Sequence, residues 1–152
     1  MRKRILPVVV LLGALIVCAP AAYAQGAAKT GPDPSTVRDP ELEKDSLHNL
    51  EVARLYFKLR KAYVAAIKRC EEIIAGNPTF AGMDEVLFIA GESSRLLADN
   101  KGKQVSKQTP EQLREDARTY LKQLLDDYPQ SAFSKQAEES LRVLGDAKPK
   151  KQ

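Results

Sequence analysis

The feature that most constrains the fold of this chain is a helix–proline–helix corner that occurs twice. The two copies read CEEIIAGNPTFAGMDEVLFIA at residues 70–90 and LKQLLDDYPQSAFSKQAEESL at residues 121–141. Each places two adjacent aliphatic residues shortly before a proline and an aromatic residue shortly after it. Because proline cannot continue a helix and restricts the residue before it, each corner ends one helix and lets another begin. Recurrence of such a unit indicates a helical repeat protein.

The helical pattern extends through the whole region between the chain ends. Alternation with a period of two is absent, and the abundant Ala, Leu, Glu and Lys favour helices, so the sequence predicts an all-α fold. Thr109, Pro110 and Gln112 form a capping-box signature that opens the fourth helix. The five predicted helices are Ser46–Leu59, Ala62–Ala75, Asp84–Leu97, Pro110–Asp127 and Ser134–Leu144.

The first corner fits the tetratricopeptide pattern of about 34 residues, which pairs two helices around small and aromatic residues. The second fits it more loosely, with a polar and basic insertion at residues 98–110 that predicts a long exposed loop. We therefore predict a tetratricopeptide-like stack of antiparallel helix pairs with a capping C-terminal helix. The predicted repeat core consists of Leu50, Ala53, Phe57, Tyr63, Ala66, Cys70, Ile73, Ala117, Leu121 and Leu124.

The first helix of each pair in such a stack lines the concave face, where partners bind. By the same count this face includes His48 and Glu51 in the first pair and Glu85 in the second. Apolar residues among these positions favour a groove for a peptide or a partner segment, while the alternative is that the rest of the array, its linker or a second copy covers them. The predicted partner-binding residues are Leu55, Lys58, Leu59, Phe88, Glu92, Arg95 and Leu96.

The N-terminal residues have the pattern of a secretory signal. A basic start is followed by an apolar run and by Ala22-Tyr23-Ala24, which predicts a signal peptide over residues 1–24 and a mature chain that begins at Gln25. Two alternatives are an uncleaved anchor and lipidation of Cys18. A flexible Pro- and Gly-rich linker is predicted over residues 25–45, the helical domain over 46–145, and a disordered basic tail over 146–152.

Charge and chemistry narrow the function classes. The basic leader supplies three of the four net positive charges, so the chain from Gln25 carries a net charge of +1 and gives no reason to predict nucleic-acid binding. His48, the only histidine, has no ligand cluster at suitable spacing, and Cys70 falls in an apolar stripe. We therefore predict no catalytic residues, no metal site and no cofactor, and a protein that is not an enzyme.

The repeat region resembles the BamD family, the lipoproteins of the outer-membrane β-barrel assembly machine. The likeness is carried by EVARLYFKLRKAYVAAIKRCEEIIAGNPT at residues 51–79 and LLDDYPQSAFSKQAEESL at residues 124–141, within a match from Leu47 to Leu144. The resemblance implies an exported scaffold, in the periplasm or at the periplasmic face of the outer membrane, that binds protein partners during outer-membrane protein assembly.

Two other functions fit the same sequence. One is a different cell-envelope adaptor, serving a cell-wall or secretion complex, and the other is a structural subunit of a larger assembly. Membrane association is expected only if Cys18 is lipidated or the leader is retained.

Overall fold

The computed structural model describes residues 39–145, and in this range the chain forms five α-helices and no strand. The predicted all-α, tetratricopeptide-like fold is therefore confirmed. The predicted signal peptide, residues 25–38 of the predicted linker and the predicted tail lie outside the described residues. The helices are α1 (Pro40–Arg54), α2 (Tyr63–Gly76), α3 (Met83–Ala98), α4 (Pro110–Asp127) and α5 (Ser134–Val143), and the π-helical segment Leu55–Arg60 continues α1.

Helix α1 begins at Pro40, six residues before the predicted start at Ser46, which corrects the end of the predicted linker. Its start is fixed by Asp39, whose Oδ1 accepts hydrogen bonds from the backbone N–H of Glu41 at 2.9 Å and of Leu42 at 3.5 Å. Proline suits the first helical position because its missing N–H is not needed there. The prolines in this segment gave it the composition of a linker, and the cap at Asp39 was not recognised from the sequence.

The end of the first helix also differs from the predicted boundary at Leu59. The π-helical segment ends at Arg60 and is capped by Lys61, which adopts a left-handed conformation with φ of 52°. The backbone N–H groups of Lys61 and Ala62 both donate to the carbonyl oxygen of Tyr56, the latter at 3.0 Å. This local widening satisfies backbone groups that a plain α-helix end leaves without partners.

The five helices pack in adjacent pairs along the chain. Each helix contacts the next, and α3 also contacts both α1 and α5. Helices α1, α3 and α5 consequently form one layer, while α2 and α4 form the other. Helix α3 lies between neighbours on all these sides, and eleven of its sixteen residues are buried. None of the helices within residues 39–145 is long and apolar enough to cross a membrane.

Small residues allow the closest helix approaches. Ala66 and Ala117 are fully buried, and Gly91 of α3 lies against α4. A Cβ atom added to Gly91 would lie 2.7 Å from Cγ of Leu121. All ten predicted core residues pack in the interior, Phe57 being half-buried and the other nine buried.

The insertion between α3 and α4 is mostly exposed but is attached to the turn between α1 and α2. The backbone N–H of Lys103 donates to the carbonyl oxygen of Lys61 at 3.1 Å, and Oε1 of Gln104 accepts from the backbone N–H of Ala65 at 3.1 Å. Gly102, with φ of +108°, lets the backbone approach the ring of Tyr63.

The predicted capping box at the start of α4 is present. The side-chain oxygen of Thr109 accepts from the backbone N–H of Gln112 at 3.3 Å, and Oε1 of Gln112 accepts from the backbone N–H of Thr109 at 2.9 Å.

Candidate partner-binding surface

The seven predicted partner-binding residues separate into an exposed set and a covered set. Leu55, Lys58 and Leu59 lie on the π-helical segment and are exposed, with Leu55 at 39% and Leu59 at 75% of their maximal accessibility. Tyr56 and Phe57, between them, pack against the core. The π-helical segment therefore presents two leucines and one lysine outward while its aromatic residues anchor it.

The exposed leucines belong to a longer apolar surface on the first helix. Leu47 is 51% exposed and, with Glu51 and Leu55, follows a spacing of four residues that places all three on one side of α1. We call Leu47, Glu51, Leu55, Lys58 and Leu59 the α1 surface. Sequence reasoning missed Leu47, although its spacing from Leu55 carried the signal.

Phe88 does not belong to an accessible surface, which corrects its assignment to the partner-binding face. It is 8% exposed and stacks on Phe133, with the ring centroids 4.9 Å apart and the planes inclined by 19°. The ring of Phe57 also contacts Phe88, edge-on, at 6.5 Å between centroids. The segment just before α5 therefore covers the face of α3 that the repeat pattern assigned to partners.

Glu92 links α3 to α5, and Arg95 is paired with Glu92, so neither side chain lines an open groove. The two side chains form a short ion pair, and each is about 15% exposed. Oε2 of Glu92 accepts a hydrogen bond from the hydroxyl of Ser140 in α5 at 2.7 Å and from Nε of Arg95 at 3.0 Å. Leu96 is half-buried against a small cluster around Tyr63 and Leu97.

The electrostatics of this pair hold Glu92 in its charged form. Burial by itself would raise the pKa of the Glu92 carboxyl, but the hydrogen bonds from Arg95 and Ser140, together with the positive charges of Arg95 and Lys101, lower its pKa on balance. The guanidinium of Arg95 has its pKa raised, chiefly by its hydrogen bond to Glu92. A charged, fully paired group at this position fastens two helices of the same layer.

A second ion pair, between Arg54 and Glu85, lies next to the α1 surface. Nε and Nη2 of Arg54 donate to Oε1 and Oε2 of Glu85 at 2.7 Å and 2.5 Å, which joins the end of α1 to the start of α3. Glu85 was expected on the concave face, whereas Arg54 was not singled out. Two opposite charges 31 residues apart give no local sequence signal of pairing.

Among the described residues, the cysteine and the histidine are the remaining side chains suited to redox chemistry or metal binding. Cys70 is fully buried in the core, and burial raises the pKa of its thiol to about 12. His48 is exposed on α1. Within residues 39–145, no three His, Cys, Asp or Glu side chains are grouped in a way that suits a metal ion.

Comparison with known proteins gives no evidence about the function of this chain. The chain matches no protein-family profile, no curated protein and no solved structure. The observation that bears most directly on function is therefore the α1 surface, an exposed set of apolar and charged side chains on a well-supported helix.

Proposed function

We propose that this protein is a scaffold of the bacterial cell envelope, similar to the BamD family, that binds protein partners during outer-membrane protein assembly. It acts in the periplasm or at the periplasmic face of the outer membrane. The tetratricopeptide-like stack and the sequence resemblance described above support this proposal. The single observation that carries it is the exposure of Leu47, Leu55 and Leu59 on one helix of that stack.

The α1 surface suits a partner segment that buries apolar side chains. Leu47, Leu55 and Leu59 supply the apolar contacts, while Glu51 and Lys58 add one charge of each sign that orients the segment. The supporting side is rigid, because the Arg54–Glu85 ion pair and the packed aromatic rings hold the end of α1 in place. Binding on such a surface requires no cofactor and no catalytic group.

The decisive test replaces Leu55 and Leu59 together by serine in the full chain. Full burial of a leucine side chain contributes about 1.5–3 kcal/mol, and a partner needs to bury only part of the two leucines to gain about 1.4 kcal/mol, so we expect about a tenfold loss of partner affinity or more. The measurement is quantitative recovery of barrel-assembly components from solubilised envelopes. A matched control is Val143→Ser, because Val143 is 65% exposed on α5, away from this surface.

The outcomes separate the proposed function from its alternatives. Unchanged recovery of barrel-assembly components by the double variant would show that the α1 surface does not bind them. Leucine-dependent recovery of cell-wall or secretion components instead would identify a different envelope adaptor. Thermal melting of both variants should match that of the unaltered protein, since all three side chains are exposed.

The location of the protein has its own test. Mass spectrometry of the chain recovered from cells should show an N-terminus at Gln25. A lipid-modified Cys18 would instead attach the protein to a membrane, and an intact leader would contradict cleavage.

A further inference from the structure

One end of the helical stack carries a concentrated positive charge. Five exposed cationic side chains lie on two segments, the end of the π-helical segment with the turn that follows it, and the loop before α4. We call them the basic end, and they are Arg60, Lys61, Lys101, Lys103 and Lys107. The basic end adjoins the α1 surface, which ends at Leu59, but shares no residue with it.

Hydrogen bonds to the backbone connect the two segments. The hydrogen bond from Lys103 N to Lys61 O joins them directly, and Gln104 reaches the backbone of Ala65. Gly102 adds a close approach to Tyr63 that a side chain would block. Within residues 39–145, Lys101 forms an ion pair with Asp99 at 3.7 Å, and no other member of the basic end forms one.

The charge of this end contrasts with the rest of the domain. Residues 39–145 contain 16 basic and 18 acidic residues, a net charge of −2 with His48 neutral. Five of those 16 positive charges belong to the basic end, so the remainder of the domain has a net charge of −7. A domain polarised in this way orients itself in the field of an anionic surface.

An apolar side chain projects from the middle of this positive end. Val105 is 96% exposed and lies two residues from both Lys103 and Lys107. An exposed valine among lysines on an anchored loop suits contact with lipid headgroups, where the cations meet phosphates and the apolar side chain can enter the acyl boundary. Single-stranded nucleic acid is less well matched, because its binding sites present exposed aromatic residues and residues 100–109 contain none.

We propose that the basic end docks on an anionic phospholipid bilayer, with Val105 at the point of contact. The negative headgroups attract Lys101, Lys103 and Lys107, while the acidic remainder of the domain faces away from the bilayer. This proposal does not depend on the proposed partner function, since it uses neither Leu55 nor Leu59. It also requires no lipid on Cys18, because the docking surface belongs to the folded domain.

The experiment uses an environment-sensitive fluorophore attached to Val105→Cys in the full chain with Cys18→Ser. Cys70 does not compete for the label, because it is fully buried and its pKa is about 12. Vesicles of phosphatidylglycerol in phosphatidylcholine should shift the emission of this probe to shorter wavelength, and vesicles of phosphatidylcholine alone should not. The probe reports contact at residue 105 itself, and the lysine variants described next separate docking by the basic end from insertion of the leader.

A charge-matched pair of variants tests the cause of binding. Replacing Lys101, Lys103 and Lys107 by glutamine should weaken binding to the anionic vesicles about a hundredfold, because each lysine at the surface contributes about a fivefold factor. The control replaces Lys44, Lys68 and Lys135 by glutamine, which removes the same charge from exposed positions elsewhere. The control variant should bind almost as tightly as the parent.

Two results would overturn the proposal. One is an emission spectrum that anionic vesicles leave unchanged, including the case in which polyglutamate or a single-stranded oligonucleotide does shift it. The other is an equal loss of binding in the two triple variants, which would reflect net charge rather than this surface. Circular dichroism of both variants should match that of the parent, since all six lysines are exposed.

Discussion

Helices α1 and α3 hold equivalent positions in two successive pairs, yet α1 exposes apolar side chains where α3 buries them. Leu59, on the π-helical continuation of α1, is 75% exposed, whereas Leu96, at the corresponding position of α3, is half-buried and Phe88 of α3 is only 8% exposed. The difference comes from neighbours, because α3 lies between α1 and α5 within its layer while α1 has α3 on one side only among the described residues. A position in a repeat is therefore accessible or buried according to its place in the array.

The strongest test of this contrast is alanine substitution of Phe88 and Leu55. Phe88→Ala removes a ring stacked on Phe133 and should reduce the free energy of unfolding by about 3–5 kcal/mol. Leu55→Ala should reduce it by only about 1 kcal/mol, since that residue is already 39% exposed. Urea unfolding of both variants gives the comparison, and similar losses at the two positions would contradict it.

The second test concerns the attachment of α5 to α3 through Glu92. Glu92→Gln removes charge-assisted hydrogen bonds to Arg95 and should cost about 1.5–3 kcal/mol near neutral pH. The folded state lowers the Glu92 pKa below its ordinary value of 4.5, so this stabilisation is present above that pH and is lost as the pH falls through the folded pKa.

The difference in stability between Glu92→Gln and the parent should therefore shrink as the solution is acidified. Denaturant unfolding at a series of pH values measures it. A difference that is the same at pH 7 and in acid would show that the charge of Glu92 does not fasten the two helices.

The third test probes how closely α3 approaches α4. Gly91→Ala places a methyl group 2.7 Å from Cγ of Leu121 and should destabilise the fold by about 1–3 kcal/mol, because the crossing helices must separate. Gly76→Ala is the matched control, since nothing lies within 4 Å of a Cβ atom there. Thermal melting should show a loss at residue 91 and none at residue 76.

The smallest effect is expected at Ser93, which is also buried in α3. No described group forms a hydrogen bond with its hydroxyl. Because a buried hydroxyl without a partner costs free energy and alanine favours helices, Ser93→Ala should raise the free energy of unfolding by about 1 kcal/mol. A loss of stability in this variant would mean that the hydroxyl has a partner, such as a buried water.

Local signals predicted the elements of the fold well. The prolines at residues 78 and 129 end helices where expected, and the capping box of Thr109 and Gln112 forms as its spacing indicates. Ala66 and Ala117 are fully buried, as expected from their place on the apolar stripe of each helix, where a small side chain allows a close helix approach. These features depend on residues a few positions apart, which is the range that sequence patterns describe.

Contacts between residues far apart in the sequence could not be predicted from these local patterns. The Arg54–Glu85 and Glu92–Ser140 contacts join residues 31 and 48 positions apart, and no local periodicity specifies such partners. The covering of Phe88 by Phe133 belongs to the same class. The start of α1 was missed for a different reason. The prolines at residues 32, 34 and 40 gave this region the composition of a linker, so Asp39 was not recognised as a helix cap.

The sequence alone determined that residues 46–145 would form a helical domain, where most corners would fall and which small residues would be buried. Only the tertiary structure decided which apolar side chains reach solvent, and with them the extent of the α1 surface and the basic end. The physical reason is that helix formation and capping are governed by nearby residues, whereas exposure is governed by whichever distant segment packs against a given face.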